Sequence, residues 1–117
     1  MKGSEQEKII VKLSFEFALK IISYCEILES QRKYVIANQL LKSGTSIGAN
    51  IREAQNAESK ADFIHKFKIA AKEIEETFYW LDLCEHSPNY PPVEDLKILL
   101  ETISRIVNKI IITSKTK

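Results

Sequence analysis

Apolar residues three and four positions apart run through nearly the whole chain, the spacing of helices rather than of strands. In the first run Ile10, Leu13, Phe17, Ile21, Tyr24 and Leu28 follow at intervals of 3, 4, 4, 3 and 4. Ser4 and Glu7 ahead of it have the spacing of a capping box, so a helix is expected over about 4–31. Val11, Phe15, Ala18, Ile22 and Cys25 form a second stripe beside the first. The combined arc is wider than two packed layers need, and one edge of it is expected to meet another subunit.

The second run, Ile36, Leu40, Gly44, Ile47, Ile51 and Ala54, places a helix over 33–57 in spite of two glycines. Glycine inside a helix costs about 1 kcal/mol against alanine, so the pair calls for a packing reason. At about 100° per residue, Leu41, Gly44, Gly48 and Gln55 share one flank, suited to close approach of a neighbouring helix. Ser43, Ser46, Asn50 and Glu53 share the other, a polar seam beside the core with a structural role; Asn50 and Glu53 are expected to have protein partners. The remaining face, Asn38, Lys42, Thr45, Ala49, Arg52 and Asn56, is small and lightly charged, as for a surface covered by another subunit.

Ser59, with Asp62 three residues on, resembles a helix cap, and Phe63, Phe67, Ala70, Ile74, Phe78 and Leu81 carry a third helix over about 60–86. Pro88, Pro91 and Pro92 then break helical structure by removing amide donors and restricting the residues before them. Leu96, Leu99, Ile103, Ile106 and Ile110 define a last helix over about 93–114, broadened by Ile98, Leu100, Val107 and Ile111, and the tail beyond it is expected to fray. Four helices with two short connections and one Pro-rich loop predict an all-α fold: an antiparallel up-down-up-down four-helix bundle forming a single domain over 1–117.

Composition excludes more than it assigns. At 44% hydrophobic and 28% charged residues the chain is too apolar for disorder, and its 117 residues are few enough for self-association to be expected. Net charge is +1, so an anionic partner would need a local patch, and residues 32–57 supply the largest excess, Arg32, Lys33, Lys42 and Arg52 against Glu53. Cys25 and Cys84 lack metal or redox spacing and are expected to be reduced and buried. No leader or uncharged run of membrane-spanning length is visible, which points to the cytoplasm and to no membrane partner.

No cofactor, metal or catalytic residue is expected. Asp62 and His65 have the spacing of one acidic-x-x-His pair of a di-iron bundle, but His86 lacks an acidic residue three positions earlier, so the second pair is missing. Neither cysteine nor any serine has the local context of a nucleophile, and carboxylates such as Glu53, Glu73, Glu75 and Glu76 on bundle helices are usually solvated or ion-paired. Gly44 and Gly48 lie within a helical pattern and lack the lysine of a phosphate loop. Candidate contacts to nucleic acid or another partner are Arg52, Lys60, Lys68 and Lys72; Glu75 and Glu76 follow the last of these and dilute its field.

Residues 39–81 closely resemble the four-helix-bundle proteins encoded by intervening sequences inside bacterial 23S ribosomal RNA genes. The matching pattern is Ser46, Ile47, Asn50, Ile51 and Glu53, then Ser59, Phe63, Ile69, Ala70, Glu76 and Leu81. The resemblance implies an antiparallel bundle assembling as a homopentamer, similar to the accessory proteins of diversity-generating retroelements, which bind a reverse transcriptase and nucleic acid. It therefore implies a non-enzymatic adaptor for RNA, DNA or a nucleic-acid enzyme. Those accessory proteins are strongly basic and this chain is nearly neutral, which leaves a purely structural or protein-interaction oligomer as the alternative.

Overall fold

Two serine caps open the odd-numbered helices. In the computed structural model, which describes residues 4–116, Ser4 Oγ accepts from Glu7 N at 3.1 Å and Ser59 Oγ from Asp62 N at 3.0 Å. The helices are α1 (Glu5–Ser30), α2 (Tyr34–Ala54), α3 (Lys60–His86) and α4 (Glu94–Lys115). α1 closes with Arg32 in the left-handed region at φ 64°: Lys33 N reaches Leu28 O at 2.9 Å and Arg32 N reaches Glu29 O at 2.9 Å. Both bonds are those of a Schellman motif, with arginine where glycine is usual.

α2 ends at Ala54, three residues before the bound expected from its apolar pattern. Gln55, Asn56 and Ala57 instead bond to carbonyls three residues back, tightening the chain into the turn that aims Ser59 at α3. α4 continues to Lys115, so the described part of the tail that was expected to fray is helical nearly to its end.

α1 lies against α2 and α4, and α3 lies against the same two, so the helices occupy the corners of a square in chain order. Short connections reverse the direction at each corner, giving the antiparallel four-helix bundle, about 47 Å long and 20 Å across. Phe17, Phe63 and Phe67 are the largest fully buried side chains, and the rings of Phe63 and Phe67 stand 4.8 Å apart. On α4 the buried stripe is Leu96, Leu100, Ile103, Val107, Ile110 and Ile111; Leu99 and Ile106 are half-buried, and Ile98 faces water.

The glycines of α2 do face a neighbour. A Cβ on Gly44 would stand 2.9 Å from Cγ2 of Ile21, and one on Gly48 would stand 3.2 Å from the Ser14 carbonyl oxygen. Their absence lets α1 and α2 pack more closely than any other side chain would allow. The Pro-rich loop is pinned to α1 by the Tyr24 hydroxyl, which donates to Pro91 O at 2.8 Å, and the Lys33 ammonium sits 4.8 Å over the Tyr90 ring.

Candidate interaction surfaces

The polar seam of α2 divides into two parts. Ser46 Oγ donates to Lys42 O at 2.8 Å and Asn50 Nδ2 to Ser46 O at 2.9 Å, so both are spent on the backbone of their own helix. Glu53 and Ser43 reach across to α3, Glu53 to Lys66 Nζ at 2.8 Å on an exposed surface. The buried joint lies at the other end of the seam: the hydroxyls of Ser43 and Thr77 hydrogen-bond at 3.0 Å, and Thr77 also bonds to Glu73 O at 2.7 Å. Both residues are fully buried. Thr77 could have been found, because it stands between Ile74 and Leu81 at intervals of 3 and 4, a polar residue on the apolar stripe.

Several titratable groups elsewhere have structural partners. Asp62 Oδ2 accepts from Glu58 N at 3.1 Å, extending the cap of α3, and His65 is exposed. Glu76 accepts from the Trp80 indole at 3.1 Å, while burial, then Glu76, raise the pKa of Glu73. The described residues contain no group of three or more His, Cys, Asp or Glu side chains placed to hold a metal ion. Cys25 and Cys84 are free thiols, both buried; burial pushes Cys25 up to about 12 and raises Cys84, a rise that a hydrogen bond with Tyr24 opposes. Neither has the lowered pKa of a reactive thiol.

The four candidate cations do not converge. Arg52 sits on the α1–α2 side, its guanidinium 5.7 Å from the Phe15 ring. It borders a groove of about 280 Å³ whose walls include Val11, Phe15 and Ala18 of α1 and Thr45 and Ala49 of α2. Along the same side of α1, Phe15, Leu19 and Ile22 remain 50%, 49% and 38% exposed. Lys60 opens α3 at the end of the bundle, and Lys68 and Lys72 lie one turn apart on the exposed face of α3. Lys115 of α4 joins them: its pKa is lowered, chiefly by the charge of Lys68. That pairing crosses from α3 to the last turn of α4 and has no signature in either segment alone.

These features define a helical-bundle protein with an apolar groove and separated basic residues on its flanks. The model of the family described as 23S rRNA-intervening sequence protein matches residues 6–112, and the chain belongs to that family. It is similar to the crystal structure of a protein of unknown function from the S23 ribosomal protein family of Bacteroides thetaiotaomicron, at 39% identity and a TM-score of 0.86. That likeness covers 91% of this chain and 97% of the other. No curated protein matches the chain significantly. Among the described residues no helix is long and apolar enough to cross a membrane.

Proposed function

We propose that this protein is a non-enzymatic bundle that acts by assembling with copies of itself, as a homopentamer, and that the assembly serves as an adaptor for an anionic partner, RNA, DNA or an enzyme acting on them. One observation carries the assembly: Phe15, Leu19 and Ile22 stay about half exposed beside a groove floored by small residues of α2. Contiguous apolar surface of this kind is what a subunit interface removes from water. Pairing of Lys68 with Lys115, beside Lys72, supports the anionic partner, since a ring would repeat that cluster once per subunit. Two buried cysteines left as thiols support a reducing compartment, the cytoplasm.

Separation of Arg52 from Lys68 and Lys72, and the acidic Glu75 and Glu76 that follow, favour the second reading, an oligomer that contacts proteins only. Light scattering on the full chain and on Leu19→Glu tests the assembly: a multimer is expected for the first and a helical monomer for the second. A wild-type monomer at micromolar concentration refutes both readings. Titration of RNA and DNA across a salt series separates them, because phosphate contacts give affinity that falls linearly in log–log form with salt, and binding that is absent leaves the protein-only oligomer.

A further inference from the structure

At the end of the bundle where α1 begins and α4 finishes lies a cavity of about 390 Å³, inside the range of roughly 300–1,000 Å³ typical of small-molecule sites. Glu7 lines it and is only 7% exposed. Its Oε1 is withdrawn from solvent without a hydrogen-bond partner, the one such buried side-chain atom among the described residues. The capping box that Ser4 and Glu7 suggest is half-made: Ser4 accepts from the Glu7 amide, but no bond from the carboxylate back to Ser4 satisfies that oxygen. A buried carboxylate oxygen with no donor is costly, and a cationic donor removes the cost.

The other lining groups match such a donor. Thr113 and Ser114, from the final turn of α4, bring hydroxyl acceptors and the end of a helix whose dipole favours positive charge. Ile110 adds an apolar wall. Lys60 is the only other charged residue of the lining and is exposed, so negative charge lies deep and positive charge lies outside.

We propose that this cavity binds a small organic molecule with a primary ammonium group on a short apolar body. The ammonium donates to the Glu7 carboxylate and to the hydroxyl oxygens of Thr113 or Ser114, and the carbon skeleton lies against Ile110.

Calorimetry and amide NMR titration of the full chain with n-butylammonium and n-butanol test the assignment. The monoammonium is expected to bind saturably and to shift the amides of Glu7, Thr113 and Ser114. The alcohol should bind at least about tenfold more weakly, as for loss of a charge-assisted bond. Glu7→Gln, checked by circular dichroism for unchanged helicity, should weaken the monoammonium by about tenfold. Equal binding of alcohol and amine, unchanged affinity in Glu7→Gln, no saturable binding, or shifts centred on the α1–α2 groove would each overturn it. If Glu7→Gln does not fold, Ser114→Ala and the location of the NMR shifts decide the matter.

Discussion

Gly44→Ala should destabilise the bundle even though it replaces the poorest non-proline helix former with the best. In an unhindered helix the exchange gains about 1 kcal/mol. Here the new Cβ meets Ile21 Cγ2 at 2.9 Å and Cγ1 at 3.0 Å, where ordinary contact starts at 3.4 Å. Ile21 is fully buried, and a β-branched side chain in a helix has essentially one χ1 available, so neither the Cγ2 methyl nor the Cγ1 methylene can swing aside. The close-packed interior offers no spare volume, and overpacking of this order costs about 1–3 kcal/mol. Subtracting the propensity gain leaves a net loss of up to about 2 kcal/mol. Ile21→Ala removes both opposing atoms, at a cost of about 2–5 kcal/mol against a total stability of about 5–15 kcal/mol. In that background Gly44→Ala should stabilise by about 1 kcal/mol, a coupling of about 1–3 kcal/mol. Urea unfolding of the four proteins at one protomer concentration measures it, the fixed concentration removing any contribution from self-association. Gly44→Ala raising wild-type stability by about 1 kcal/mol would refute the close approach of α1 and α2.

Thr77→Val leaves the buried Ser43 hydroxyl without its 3.0 Å partner and should cost about 1–2 kcal/mol, with Ser43→Ala/Thr77→Val costing less than the sum of the single changes; additive costs in the same urea assay would show that the two hydroxyls are not coupled. Alkaline pH should also weaken the fold. Burial raises Cys25 from 9.0 to about 12, so the folded chain keeps a proton that the unfolded chain releases. That contribution is complete below pH 9 and declines from there towards pH 12, with a slope of up to about 1.4 kcal/mol per pH unit. Urea midpoints measured from pH 8 to pH 11 should fall, and less steeply for Cys25→Ala; a flat profile contradicts the buried thiol.

Periodicity made the four helices legible because a helix that packs on one side writes its contact face into the sequence every three or four residues. The caps at Ser4 and Ser59 were readable for a similar reason: a serine oxygen satisfies amides only two or three residues away, so the interaction is local. The sites were less so. Asn50 and Glu53 share a flank of α2, yet one bonds to its own helix and the other to Lys66, thirteen residues further on. Helical phase tells which residues share a flank and is silent on which of them will meet a donor from another helix. Thr77 went unnoticed beside Phe78 because both fit the apolar spacing, and only the position of Ser43 on α2 makes the threonine the better buried of the two.

For this chain, then, local order resides in the sequence: helix number, antiparallel sequence of helices, glycines turned to a neighbour, and an apolar surplus on α1. These follow from backbone geometry and from the burial of apolar area, both of which act over one or two turns. Packing alone brought Lys115 to Lys68, split Arg52 from the lysines of α3, and closed a cavity around an unpartnered Glu7 between α1 and α4. Each of these joins residues from separate helices, and their distances depend on how far the helices stand apart and in what register, quantities that exist only once all four are packed.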